Sequence, residues 1–123
     1  MARILIIEDC DDDRQGLEEL LVYAKHHVSS APNGKVGLEL LRDRQIDVVI
    51  TDMVMPEMDG VETILKLRRE YPQVKIIAVS NDGVVSSDYY LRLARGLGAQ
   101  LMLSKPYSAS EMLEAIESLI EPK

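Results

Sequence analysis

The chain has 123 residues, 46% of them hydrophobic and 28% charged, which is typical of one soluble globular domain. A net charge of −7 opposes attraction to a phosphate backbone, so we expect no direct binding to nucleic acid. One cysteine and two histidines exclude an internal disulfide and a zinc-type ligand set. Without an apolar run long enough for a membrane span or signal peptide, a cytoplasmic protein is expected.

The first predicted strand, Arg3–Ile7, runs directly into five carboxylates within six positions. Asp11 or Asp12 is expected to cap the next helix, whose positive N-terminal end favours acidic residues. Capping does not account for Glu8 and Asp9, which precede that helix. Two carboxylates ~4 Å apart repel by about 4 kcal/mol at an effective dielectric constant near 20. This pair therefore requires a cation.

A weak, polar strand follows over residues 26–31, and its composition suits the edge of a sheet. The turn formed by residues 32–34 leads into a second helix that we expect to end between Arg42 and Arg44.

The third predicted strand is an unbroken apolar run from Val48 to Ile50, the pattern of a strand that is covered on both faces. It presents Asp52 at its carboxyl end, before a turn-rich loop that closes at Gly60 and a third helix. A single aspartate in such a place is most often a solvated loop residue. The remaining strands point to a different interpretation.

Two further strands are predicted over residues 74–79 and 101–103, and they are followed by Ser80 and by Lys105. A helix is expected after each of these strands. Gly96 and Gly98 are expected to end the fourth helix. Candidate N-caps are Ser86, Ser87 or Asp88 for the fourth helix and Ser108 or Ser110 for the fifth.

Five strands that alternate with five helical patterns predict an α/β fold with a parallel sheet and helices on both faces. Ligands of such sheets bind at the carboxyl ends of the strands. The residues expected there are Glu8, Asp9, Asp52, Ser80 and Lys105. Carboxylate oxygens suit Mg²⁺, and an aspartate can act as a nucleophile toward a phosphoryl group when cations neutralise the phosphoryl oxygens.

In order and spacing, these residues resemble the receiver domain of the response regulator family of two-component signalling. The matching features are the Glu8-Asp9 pair, the segment from Asp52 to Gly60, Ser80 and Lys105-Pro106. The resemblance covers essentially the whole chain. It implies a (βα)5 flavodoxin-like fold with strand order 2-1-3-4-5, in a single receiver domain over residues 1–123. Because the chain ends at Lys123, we expect no effector domain, so the protein either stands alone, like chemotaxis regulators, or is a piece of a longer protein.

The resemblance also implies a role for each site residue. Asp52 would accept a phosphoryl group from a histidine kinase or a histidine phosphotransfer protein, Ser80 would sense the phosphate, and Lys105 would contact it. The implied ligands of Mg²⁺, or alternatively Mn²⁺, are Glu8 largely through water, Asp9, Asp52 and the backbone carbonyl of Val54. A cis peptide before Pro106 would direct the lysine inward. The phosphorylated state would alter binding to a downstream protein whose identity the sequence does not give.

Two departures from the family pattern concern the steps after phosphorylation. Met102 stands where the family usually has Tyr or Phe, so the usual movement of an aromatic ring is replaced by a flexible methionine. The segment from Asn81 to Asp88 is a few residues longer than is common, and we hypothesise that it forms a mobile lid over the phosphate.

Three other functions are compatible with parts of the sequence. A phosphorylation-independent interaction module is favoured by Met102 but opposed by the complete set of site residues. A Mg²⁺-dependent phosphohydrolase usually has a second acid two residues after its nucleophile, where this chain has Val54. A flavin-binding module shares the fold, but it binds phosphate after the first strand, where the carboxylates of this chain would repel it. We expect a protein that promotes its own phosphorylation and dephosphorylation at Asp52 and turns over no external substrate.

Overall fold

A computed structural model of the chain describes residues 2–53, 60–81 and 87–120. In chain order the elements are β1 (Arg3–Ile7), α1 (Asp11–Tyr23), β2 (His27–Ala31), α2 (Gly34–Asp43), β3 (Val48–Asp52), α3 (Gly60–Glu70), β4 (Lys75–Asn81), α4 (Ser87–Leu97), β5 (Leu101–Lys105) and α5 (Ala109–Ile120). The carbonyl of Val54 and residues 82–86 of the hypothesised lid lie outside the described residues.

The five strands form one parallel sheet in the order β2-β1-β3-β4-β5. This confirms the predicted fold class and the strand order that the resemblance implies. The polar strand β2 lies at an edge, as its composition predicts. The apolar strand β3 lies at the centre, where all five of its residues are buried.

Both faces of the sheet are covered, because successive side chains of a strand point to opposite faces. On one face, Val49 of β3 packs in a cluster with Ile64 of α3 and Ala94 of α4. On the other face, Val48 packs in a second cluster with residues of α1 and α5, including Met112. The two layers hold the sheet between helices and leave the ends of its strands accessible.

Strands β4 and β5 extend two residues beyond the predicted ends of 79 and 103. Ser80 pairs with Ser104, and Asn81 with Lys105, so the ladder continues through polar residues that an apolar pattern does not detect. Ser80 and Lys105 therefore lie inside their strands, not after them, and the sheet fixes their backbones.

Two predictions about helix ends were wrong. The N-cap of α1 is Cys10, whose side chain makes no capping hydrogen bond, and neither Asp11 nor Asp12 takes that position. Asp11 instead forms an ion pair with Arg14, with 2.6 Å between Oδ1 and Nη2. Gly96 lies within α4.

Two other helix ends follow the predictions. Gly98 follows the last residue of α4 with a φ of 117°, a conformation that glycine adopts without strain. Ser108 caps α5, because its Oγ accepts a hydrogen bond of 3.0 Å from the Glu111 N–H. Within the described ranges, no helix combines the length and the apolar character needed to cross a membrane.

Candidate functional site

Four strands bring polar side chains to one end of the sheet. Glu8 follows β1 directly, Asp52 is the last residue of β3, Ser80 is the penultimate residue of β4, and Lys105 is the last residue of β5. Strand β3 pairs with both β1 and β4, so Asp52 lies centrally among these side chains. The structure thus brings together the predicted site residues that it describes.

Three carboxylates form a compact cluster at this end. Glu8, Asp9 and Asp52 each offer an oxygen, and these oxygens lie within 4.8 Å of one another. Asp9 is exposed, whereas Glu8 and Asp52 are only 7% and 6% exposed. Buried carboxylates at this separation destabilise one another unless a cation joins them. The oxygen-only donor set and its partial exposure fit a hard divalent ion such as Mg²⁺.

Lys105 supplies positive charge to the cluster. Its Nζ lies 2.7 Å from Glu8 Oε1, 3.1 Å from Asp13 Oδ2 and 3.5 Å from Asp52 Oδ2. The Lys105–Pro106 peptide is cis, the isomer that the family resemblance implies. One ammonium group therefore faces three carboxylates, which leaves the site with excess negative charge.

The pKa values of Glu8 and Lys105 reflect this environment. Burial raises the pKa of Glu8 to about 7, and the charge of Asp52 raises it too, against the hydrogen bonds from Lys105 and from the Cys10 N–H. Burial lowers the pKa of Lys105, but its hydrogen bond to Glu8 and the charges of Asp52 and Glu8 outweigh burial and leave that pKa above its usual value. Lys105 therefore stays charged at neutral pH, while Glu8 holds a proton more readily than an ordinary carboxyl group does.

Ser80 carries a buried hydroxyl that could bind a ligand. Its side chain is fully buried, and its Oγ has no hydrogen-bond partner among the described residues. Leaving a buried hydroxyl without a partner costs about 1–3 kcal/mol. Ser80 follows Val79, which pairs with Asp52 across the ladder. An oxygen-bearing group placed next to Asp52 would give this hydroxyl a partner.

Gly60 and Asp13 are two site features that the sequence did not reveal. A Cβ atom on Gly60 would come within 2.4 Å of the Asp52 carbonyl oxygen and the Met53 Cα, so only glycine lets α3 start this close to the end of β3. Asp13 contacts Lys105 from the first turn of α1. The turn pattern around Gly60 predicted the loop but gave no sign of the close approach, and Asp13 looked like one more helix-terminal acid.

The resemblance places Met102, on β5, where the family usually has an aromatic residue. It pairs with Ala78 of β4, is half-buried, and packs against the cluster that contains Ala94 of α4. The side chain is therefore part of the packing between β5 and α4, which is compatible with the gap-filling role of a methionine.

Comparisons with known proteins agree with this architecture. A family model described as the response regulator receiver domain matches residues 4–117. The response regulator receiver protein CpdR of Brucella abortus is 32% identical over 98% of both chains. The sensor kinase CckA of the same organism is 32% identical over 98% of this chain, which spans only 13% of that kinase. A receiver domain protein of Clostridium thermocellum superposes with a TM-score of 0.90 at 30% identity, covering 98% of this chain and 94% of that one.

Proposed function

This chain belongs to the response regulator receiver domain family of two-component signalling, and from that premise we propose that Asp52 is its phosphoacceptor. The observation that carries the proposal is the position of Asp52. Its buried carboxylate belongs to the acidic cluster, lies 3.5 Å from the Lys105 ammonium, and ends the strand beside that of Ser80.

Glu8 is a poorer nucleophile than Asp52. Glu8 Oε1 accepts a hydrogen bond of 2.7 Å from Lys105, and its Oε2 accepts one of 3.1 Å from the Cys10 N–H. Burial also raises the pKa of Glu8 to about 7, so Glu8 holds a proton more readily than an ordinary carboxyl group does. Both features remove electron density from the oxygens that would attack. Asp52 also lies on the central strand, between the strands that carry Glu8 and Ser80, so it is the better candidate in the cluster.

In the proposed reaction, an Asp52 carboxylate oxygen attacks the phosphorus of a phosphohistidine. The new bond is an acyl phosphate, and the bond between phosphorus and the imidazole nitrogen breaks with its electron pair leaving on the nitrogen. Lys105 then neutralises charge on a phosphoryl oxygen, and the Ser80 hydroxyl donates a hydrogen bond to another. Asp52 makes the covalent bond. Lys105 and Ser80 contribute to catalysis by positioning the phosphoryl group and stabilising the charge on its oxygens.

Glu8, Asp9 and Asp52 are the described residues that would hold the metal ion, together with the proposed ligand Val54. A bound Mg²⁺ ion, or Mn²⁺ in its place, adds positive charge at the phosphoryl oxygens and relieves the repulsion among the carboxylates. The reaction is proposed to be self-limiting at one aspartate, so the chain turns over no external substrate.

The partners follow from the same chemistry. A histidine kinase or a histidine phosphotransfer protein is the proposed donor, and the phosphorylated state is proposed to change the affinity for a downstream protein. We further propose that residues 1–123 act as one receiver domain and work in the cytoplasm. Met102 is proposed to take the part of the aromatic switch residue by shifting within the packing between β5 and α4.

The test is the mass of the intact protein after incubation with acetyl phosphate. We expect a gain of one phosphoryl group with Mg²⁺, no gain with chelator, and no gain in an Asp52→Ala variant that keeps its circular dichroism spectrum. A wild-type protein that binds Mg²⁺ and accepts no phosphoryl group, even from a phosphohistidine protein, would instead support the phosphorylation-independent interaction module.

A further inference from the structure

Lys105 has an anionic partner that lies outside the carboxylate cluster. Asp13 Oδ2 is 3.1 Å from the Lys105 Nζ, closer than Asp52 Oδ2 at 3.5 Å. Asp13 lies on the first turn of α1, its side chain is 52% exposed, and it is not one of the three residues whose oxygens converge on a common point. The ammonium is therefore held from two sides, by the cluster and by α1.

We propose that Asp13 is a positioning residue that holds Lys105 in the resting state and slows phosphorylation by competing with the incoming phosphoryl oxygens for the ammonium. The proposal rests on the proposed role of Asp52 as phosphoacceptor. It assigns to the first turn of α1 the control of how readily Lys105 is available for the reaction.

The competition follows from which carboxylates a divalent cation would neutralise. Glu8 and Asp52 belong to the cluster that fits a metal ion, so their attraction for Lys105 weakens when such an ion binds. Asp13 lies outside that cluster and keeps its full charge. A phosphoryl oxygen that approaches Lys105 would then compete with Asp13 for the ammonium.

Asp12 provides a matched control for the effect of charge alone. It lies in the same turn, is exposed, and carries the same charge, but its side chain forms no ion pair or hydrogen bond within the described part of the chain. If Asp13 acted only by repelling an anionic donor or by interacting with the helix dipole, Asp12 would act in the same way. A difference between the two therefore isolates the contact with Lys105.

The experiment measures the rate of phosphorylation by acetyl phosphate as a function of donor concentration, which avoids any contact with a protein donor. We expect Asp13→Asn to accelerate phosphorylation about two- to five-fold, the range of a partly exposed ion pair, and Asp12→Asn to have a much smaller effect. Asp13→Glu should return the rate toward that of the wild type. Unfolding by urea should show all variants folded.

A second measurement does not depend on any reaction. The NMR resonance of the Lys105 Nζ should shift in Asp13→Asn and stay in place in Asp12→Asn. Equal rates for the two asparagine variants, or a Lys105 resonance that Asp13→Asn does not move, would overturn the proposal while leaving the acceptor role of Asp52 intact. A wild-type protein that accepts no phosphoryl group would refute the role of Asp52, and the competition proposed for Asp13 would fall with it.

Discussion

The polar groups at the two ends of the sheet differ in how well they are paired. At the amino ends, Asp47 Oδ2 accepts a hydrogen bond of 2.8 Å from the Arg3 N–H, and the carbonyl of Asp47 accepts one of 3.0 Å from the Lys75 N–H. At the carboxyl ends, Glu8 and Asp52 are buried side by side and Ser80 lacks a partner among the described residues. Asp47 thus satisfies backbone groups of two strands at the amino end, whereas the carboxyl end retains unbalanced charge.

Cavity size does not identify the functional end. A cavity of about 700 Å³ lies at the amino ends and is lined by residues that include Arg3, Asp47 and Lys75. Among its lining residues, Asp47 accepts hydrogen bonds from the Arg3 and Lys75 N–H groups. The carboxylate cluster, in contrast, carries the energetic cost of buried like charges, which a bound cation would relieve. Conflicts of this kind mark functional sites more reliably than volume does.

The largest effect that tests this contrast is expected from Gly60→Ala at the carboxyl end. The added Cβ meets backbone atoms of Asp52 and Met53, which cannot move aside like a flexible side chain. We expect a loss of about 2–3 kcal/mol in the free energy of unfolding, together with slower phosphorylation. Urea denaturation and the mass assay measure the two effects.

Gly16→Ala is the matched control for that substitution. Gly16 is an exposed helical residue of α1, and a Cβ there meets nothing within 4 Å. This variant should gain about 0.5–1 kcal/mol because alanine is the better helix former. If both alanine variants had the same stability, the close approach of α3 to the end of β3 would not matter energetically.

The next largest effect is the pH dependence of stability in the presence of chelator. The native pKa of Glu8, about 7, is above its ordinary value of 4.5. The native state therefore binds the proton more tightly than the unfolded chain does. The stabilisation from this proton is fully present below pH 4.5 and is lost as the pH rises through about 7.

Glu8→Gln should remove this dependence. We expect the variant to be about 1–2 kcal/mol more stable than the wild type at pH 8, with a flatter stability profile between about pH 5 and 8. Denaturant titrations across that pH range measure both. Glu39→Gln, the same change at an exposed position of α2, should leave the slope unchanged. A wild-type protein that gains stability as the pH rises through 7 would contradict the role assigned to Glu8.

The smallest effect is expected at the amino end, from Asp47→Ala. It removes the carboxylate that accepts the Arg3 N–H and should cost about 0.5–1 kcal/mol of stability, while phosphorylation stays at the wild-type rate. Asp47→Asn, which keeps an acceptor oxygen, should recover most of the loss. A marked slowing of phosphorylation in Asp47→Ala would show that the two ends are coupled and would break the contrast between them.

The sequence predicted the convergence of the site but not its internal contacts. Alternating strands and helices imply a parallel sheet, and a parallel sheet brings Glu8, Asp52, Ser80 and Lys105 to one end regardless of their separation in the chain. The ion pair of Asp13 with Lys105 depends on side-chain rotamers and on the placement of α1, which no local pattern encodes. The lengths of β4 and β5 were underestimated because ladder pairing continues beyond the apolar run.

The contact between Glu8 and Lys105 joins residues that are 97 positions apart. During synthesis, the three carboxylates emerge long before β5 exists, and distant parallel pairing is among the slower steps of folding. A chain that has not yet added β5 to its sheet has the acidic cluster but no ammonium beside Asp52. Under the proposed role of Asp52, such a chain lacks the ammonium that would neutralise the incoming phosphoryl oxygens, so we expect phosphorylation only once β5 has joined the sheet.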